Sequence, residues 1–198
     1  MSKLKIFLAD LTHSYKAISN PFMPYGVGLV ASYAKKIFAE NIEVKIFKYP
    51  QNLYEALNKE HCDILGCSTY VWNNNISHWA CRVARAKNPN VITVLGGPDF
   101  PKDYNQKLEY FKKNEYVDIR VLLEGEVAFS NIIKLILDHG IKAKDKILNE
   151  KINGCVFLNK NKTALVESYA PRIQLLDTIP SPYTTGILDE FFDGKLIP

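Results

Sequence analysis

Two adjacent glycines, Gly96 and Gly97, followed by Pro98, close the apolar run Val91–Leu95. Having no Cβ, such a pair lets a flat ligand lie against the backbone and can turn its N–H groups toward an acceptor. An ordinary tight turn accounts for the same residues, because Gly-Pro is common there. Ser68 and Thr69 end a second apolar run, Asp63–Thr69, and Tyr70, Val71, Trp72 and three asparagines follow. Hydroxyls, an aromatic pair and amides make a rim able to hydrogen-bond a ligand. Asn73 or Asn74 is equally suited to cap the next helix. A third cluster is Glu124-Gly125-Glu126. A carboxylate at a helix N-terminus is favoured by up to about 1 kcal/mol; it can also accept from a ligand's hydroxyls or amides. Capping alone accounts for Glu126.

The elements that position these clusters alternate regularly. Lys3–Ala9, Ile42–Phe47, Asp63–Thr69, Val91–Leu95 and Asp118–Leu123 read as strands. Helical spacing follows each, over Tyr25–Glu40, Leu53–Lys59, Asn75–Ala86, Lys102–Asn114 and Val127–Asp138. Strand–helix units in such a row predict an α/β fold, a Rossmann-like open parallel five-stranded sheet with helices on both faces. Gly154–Asn159 and Thr163–Ser168 then predict a small C-terminal β-hairpin. A proline-bearing tail follows Pro171, with a short helix around Ile187–Phe192. The expected organisation is a Rossmann-like domain over 1–145, a hairpin appendage over 146–170 and a linker or strap over 171–198. In such a sheet ligands bind beyond the carboxyl ends of the strands, where all three clusters lie.

Gly26-Val27-Gly28-Leu29-Val30-Ala31 matches the dinucleotide fingerprint, but the physics requires those glycines directly after the first strand. Here a long loop intervenes, and Lys48, Tyr49 and Pro50 stand where an acidic residue is expected. A phosphate-accepting receiver domain needs an aspartate where Ser68 and Thr69 stand.

The chain has 198 residues, of which 47% are hydrophobic and 23% charged, enough for a full core. Its net charge of +4 is spread along the sequence, so no nucleic-acid platform is indicated. No apolar run approaches the ~18 residues a membrane span needs, and the N-terminus lacks a secretory cleavage signal. Cys62, Cys67, Cys81 and Cys155 have no framework spacing, which suits reduced thiols in a cytoplasmic chain. The three-cysteine pattern of a four-iron cluster is absent. His61, His78 and His139 read as surface residues.

Taken together, the long first loop running into Pro24-Tyr25-Gly26-Val27-Gly28-Leu29, the Ser68-Thr69 strand tip, Gly96-Gly97-Pro98 and Gly125-Glu126 form a recognisable set. In order and spacing it resembles the N-terminal cobalamin-binding domain of cobalamin-dependent radical S-adenosylmethionine (SAM) enzymes. The tail Ile173–Tyr183 is similar to the segment joining that domain to a radical barrel. The resemblance covers nearly the whole chain.

It implies binding of cobalamin in the base-off form over the strand ends. Gly96, Gly97 and Pro98 then lie along the nucleotide tail or corrin edge. Ser68 and Thr69 hydrogen-bond the benzimidazole side, and Glu126, in the Glu124-Gly125-Glu126 turn, accepts from the ribose or a side-chain amide. The first loop, with Thr12, His13 and Tyr25, and the Tyr70-Val71-Trp72 segment face the lower corrin surface. The mutase-type motif is D-x-H-x-x-G, whereas this chain reads Asp10-Leu11-Thr12-His13-Ser14-Tyr15-Lys16, with the histidine one place late. His13 as the lower axial cobalt ligand, with Asp10 behind it, and His13 as a solvated or capping residue both stand at this point. The resemblance implies methyl transfer as the chemistry, with the ring rearrangement that other members perform as the alternative.

The parent enzyme also needs a [4Fe-4S] cluster and S-adenosylmethionine, whose ligands this chain lacks. The expected partner is therefore a radical SAM barrel, in cis beyond Pro198 or in trans, with no nucleic acid and no membrane. A nucleotide-binding or glycosyltransferase-like Rossmann domain and a receiver-like regulatory module are the alternatives.

Overall fold

The computed structural model of the chain describes residues 3–14, 22–140 and 144–192. Tyr15 and Lys16 of the first-loop motif, and Pro198, lie outside the described residues.

Five strands, β1 (Leu4–Ala9), β2 (Ile42–Phe47), β3 (Ile64–Ser68), β4 (Ile92–Gly96) and β5 (Ile119–Val121), pair in parallel. They alternate with helices α1 (Tyr25–Phe38), α2 (Pro50–Lys59), α3 (Asn74–Lys87), α4 (Tyr104–Lys113) and α5 (Gly125–His139). Two more strands, β6 (Cys155–Leu158) and β7 (Leu165–Ser168), complete a seven-stranded sheet of order β2-β1-β3-β4-β5-β6-β7. The hairpin expected as an appendage is thus the edge of the same sheet, with Arg120 opposite Val156 in antiparallel register. It covers the edge of β5, which would otherwise present unpaired backbone groups.

Strand side chains alternate between faces, and this sorts the core into two layers. Ile6 and Leu8 of β1, with Ile64 and Val94, pack beneath α1 and α5 against Val27, Ala31, Phe129 and Ile132. Phe7, Leu65 and Leu95 face the other way, onto Leu53, Ala80, Ala84 and Phe111 of α2, α3 and α4. All four cysteines are free and buried.

The tail returns along α1. Lys36 Nζ donates to the Thr178 carbonyl at 2.7 Å, Ser32 and Thr185 hydroxyls meet at 3.1 Å, and Leu188 is buried. Gly28 permits this approach, since a Cβ there would stand 3.0 Å from Pro182 Cβ. Where a short terminal helix is expected, the chain forms only a 3-10 turn, Asp189–Phe191. Among the described residues no helix is long and apolar enough to cross a membrane, and no cluster of three or more His, Cys, Asp or Glu could hold a metal.

Strand order reverses at β1, with β2 on one side and β3 on the other. Connections leaving β1 and β3 must diverge, and a crevice opens at their carboxyl ends.

Candidate functional site

A cleft of about 160 Å³ opens at that reversal, under the first turns of α1 and α5. Its position follows from parity. Leu8, Asp10, Gly66, Ser68, Val94, Gly96 and Val121 line it, and all point to the α1/α5 side of their strands. Val27 and Val30 of α1 and Phe129 of α5 form the walls. Among the described residues Asp10 is the one charged residue that lines the cleft.

The glycines around the cleft divide into two kinds. Three have reasons internal to the fold. A Cβ on Gly66 would stand 2.6 Å from Leu8 Cδ2 and 3.2 Å from Phe129 Cε2. One on Gly125 would stand 2.8 Å from Val30 Cγ2. Gly97 has φ +101°, and a side chain there would strike the Thr69 backbone. The other two have no such reason. A Cβ on Gly96 meets only Val121 Cβ, at 3.8 Å, and one on Gly26 meets nothing within 4 Å. Neither has a positive φ. Both line the cleft, Gly96 half-buried and Gly26 exposed at its edge, so neither is kept small by internal packing.

At the mouth, Asp10 Oδ1 accepts from Ser68 Oγ at 2.5 Å and from Asn73 Nδ2 at 3.3 Å. Burial raises the Asp10 pKa against the opposing pull of Ser68 and then Lys48. Burial in turn lowers that of Lys48, whose ammonium donates to the Phe22 carbonyl. Tyr70, which lines the cleft, stacks on Trp72 with ring centroids 4.5 Å apart and planes 5° apart. Leu123 closes the opposite rim with φ +57° and stands 69% exposed. A non-glycine residue held in that region is strained, and such strain persists only where the surroundings enforce it.

A second network supports the mouth from behind. Arg120 is fully buried on the α4 side. It donates to Thr69 Oγ1 at 2.9 Å and to the carbonyls of Gly97 and Asp99, each at 3.2 Å. Its guanidinium lies 4.6 Å from the centre of the Phe100 ring. The Gly97–Asp99 turn is therefore tied to the sheet through three acceptors. Behind it, His78 meets the hydroxyls of Tyr116 and Tyr110 at 3.1 Å each. Burial, then the charges of Arg120 and Arg82, lower the His78 pKa to about 4. The reading of His78 as a surface residue is corrected: α3 turns it inward against Tyr110 of α4 and Tyr116 of the loop leading into β5.

Of the residues expected from the sequence, the cleft gathers Ser68, Tyr70, Gly96, Gly97 and Gly125. Thr69 falls on the opposite face, because it is one residue past Ser68. Its hydroxyl donates to the Gly96 carbonyl at 2.7 Å and accepts from Arg120, so it supports the turn and does not face the cleft. Tyr25 stacks on Tyr183 of the tail at 5.4 Å. Glu124 pairs with Arg172 at 2.8 Å. Glu126 is buried in the first turn of α5, and Thr12 is buried too, but neither lines the cleft. Pro98, Val71 and Trp72 also lie outside its lining, with Val71 and Trp72 exposed. His13 Nε2 lies 3.1 Å from the Trp72 carbonyl, and Asp10 pairs with Ser68 and Asn73 instead of His13.

No family model matches the chain. It is 29% identical over 173 residues to the cobalamin-dependent radical SAM methyltransferase TokK of Streptomyces tokunonensis. It is 27% identical over 174 residues to the 2-(S-pantetheinyl)-carbapenam-3-carboxylate methyltransferase of Streptantibioticus cattleyicolor. The chain is a relative of cobalamin-dependent radical SAM methyltransferases. The match takes in 85% of this chain and 24% of each of those methyltransferases, so the chain spans about a quarter of their length.

The fold is shared with the cobalamin-dependent S-adenosylmethionine radical enzyme OxsB. The structure with aqua-cobalamin and S-adenosylmethionine bound superposes with a TM-score of 0.64 at 15% identity, over 96% of this chain and 26% of OxsB. The form with aqua-cobalamin alone gives 0.62.

Four residues important to the cleft escaped the sequence reading of sites. From sequence Asp10 stands only behind His13, Gly26 belongs to the Pro24–Leu29 segment without being singled out as a site residue, and Gly66 and Phe129 look like plain core. Parity from Ser68 back to Gly66, and across to Leu8 and Asp10, is the signal that finds the strand residues.

Proposed function

We propose that the chain binds cobalamin in the base-off form, as the corrinoid-holding part of a radical SAM methyltransferase. The cleft takes the benzimidazole of the nucleotide tail between Val30 and Phe129, and the corrin lies outside it over the strand ends. The observation that carries this reading is the pair Gly26 and Gly96: two side chains the fold could accommodate are left off at the edge of one apolar cleft.

Size supports the division of the ligand. A dry apolar cavity of about 150 Å³ holds a benzene ring. A cleft of about 160 Å³, open at its mouth, suits one small ring system and not a tetrapyrrole. Charge supports it too. Among the described residues lining the cleft the one charged group is Asp10, with the Lys48 ammonium close enough to act on it, so the mouth is polar without presenting a phosphate-binding cluster.

Within this reading the chain's residues bind and orient. Gly66 gives the inserted base its floor, Arg120 fixes the Gly97–Asp99 turn, and Ser68 and Asp10 supply polar contacts at the mouth. The stacked Tyr70 and Trp72 offer a flat apolar surface beside the cleft for the lower corrin face. His13, at the Trp72 carbonyl, holds that segment in place and does not ligate cobalt. When bound, cobalamin supplies a cobalt centre that relays a methyl group from S-adenosylmethionine to a substrate carbon. The iron–sulfur cluster, S-adenosylmethionine and the substrate belong to a radical SAM barrel supplied in cis or in trans.

The test is direct. The purified chain is mixed with hydroxocobalamin and desalted, and the visible spectrum is recorded. Retained absorbance with a base-off shape is expected. A colourless protein whose melting temperature rises with a nucleotide instead would transfer the cleft to the nucleotide-binding reading.

A further inference from the structure

Among the described residues Asp10 is the one charged group lining the cleft, with Lys48 near it, and half of its carboxylate carries no hydrogen bond. Oδ1 is fixed by Ser68 Oγ at 2.5 Å and by Asn73 Nδ2 at 3.3 Å. Oδ2 accepts no hydrogen bond among the described residues. The backbone position is equally fixed, since the Asp10 N–H donates to the Phe47 carbonyl at 3.0 Å. The side chain is thus an oriented acceptor at the mouth of an apolar slot. A carboxylate there accepts hydrogen bonds and repels anions. The matching ligand group is a hydroxyl or amide donor, placed one bond sequence outside whatever ring the slot holds.

We infer that Asp10 is a specificity residue of the cleft, and that its free oxygen accepts a hydrogen bond from a hydroxyl of the sugar attached to the inserted base. The inference rests on the cobalamin reading and adds to it which part of the ligand is read. Two donors on cobalamin compete for the role: the ribose hydroxyls of the tail and the primary amides of the corrin arms. The ribose is joined directly to the base, so a base in the slot brings the sugar to the mouth where Asp10 sits. The corrin amides lie beyond the phosphate and the linker, several bonds further along the tail from a base held in the slot.

A ligand lacking the tail separates the two donors. Dissociation constants are measured for hydroxocobalamin and for cobinamide, which keeps the corrin and its amides but lacks the nucleotide. Wild-type chain, Asp10→Ala and Asp10→Asn are compared, with melting temperatures of the ligand-free proteins alongside. Asp10→Asn keeps the size of the side chain and an acceptor for Ser68 while replacing the free oxygen by a donor. Both variants are expected to bind hydroxocobalamin about 10- to 100-fold more weakly, the range for one hydrogen bond to a charged group. Cobinamide affinity is expected to change less than about twofold, because no contact is lost. Equal weakening of both ligands would overturn the inference, assigning Asp10 to the corrin or to structure alone. Unchanged hydroxocobalamin affinity in the folded variants would overturn it as well. Failure of the wild-type chain to bind hydroxocobalamin at all would instead overturn the cobalamin reading, and the inference with it.

Discussion

Gly96→Val adds a side chain that the fold accepts and the proposed ligand does not. The new Cβ meets Val121 Cβ at 3.8 Å, an ordinary contact, and the backbone there has no positive φ. Valine also suits a strand end better than glycine, on a scale spanning about 1 kcal/mol. The ligand-free variant should therefore keep its melting temperature or gain up to roughly 2–4 °C, the shift that ~1 kcal/mol produces in a chain of this size. The same atoms intrude on the cleft. Forcing extra methyl groups into a filled apolar site costs about 1–3 kcal/mol, which corresponds to a hydroxocobalamin dissociation constant raised roughly 5- to 150-fold. Thermal melts and titration followed by visible absorbance read the two effects separately. An unchanged dissociation constant would refute the assignment of this space to the ligand. A large fall in melting temperature would refute the claim that the glycine has no internal reason.

Four further outcomes follow from the geometry. Gly26→Ala should raise the melting temperature, by the equivalent of about 0.4–1 kcal/mol, while Gly26→Leu should keep part of that gain and lose hydroxocobalamin retention on desalting. Gly66→Ala should destabilise the ligand-free chain, since its Cβ would stand 2.6 Å from Leu8 Cδ2; overpacking of this kind costs about 1–3 kcal/mol in a denaturant melt. His13→Ala should leave the visible spectrum of bound cobalamin unchanged, whereas a shifted spectrum would make His13 a cobalt ligand. His78 has its pKa lowered to about 4, so the unfolded chain binds more protons than the folded one between there and the ordinary imidazole value of 6.5. Its contribution to stability is full above 6.5 and is lost as the pH falls toward 4; His78→Gln should flatten that slope in pH-dependent melts, and an NMR titration of the imidazole checks the value.

The strand–helix alternation, the parallel sheet and the location of the crevice were legible in the sequence, because each follows from local periodicity and a topological rule. The side-chain assignments were less so, and the failures have a common cause. Ser68 and Thr69 look equivalent as hydroxyls, yet pleat parity sends one to the cleft and the other to Arg120. Arg120 reads as one charge in a short strand, and only the packing of α4 shows that it ties down the Gly97–Asp99 turn. His78 reads as a polar residue on a helix, but Tyr110 and Tyr116 arrive from distant parts of the chain to cover it. Gly26 fits two patterns in the sequence: the dinucleotide fingerprint fails for want of a strand directly before it, whereas the Pro24–Leu29 segment stands at the start of α1, which lies along the cleft. The hairpin is legible as a hairpin, but its pairing with β5 is a long-range register that no local pattern encodes.

The most direct measurement is a crystal structure of the chain grown with hydroxocobalamin. The account expects electron density for the benzimidazole between Val30 and Phe129 above Gly66, detached from cobalt, with the corrin outside the cleft. A cleft filled by solvent, with the ligand bound elsewhere or its base still on the metal, would contradict it.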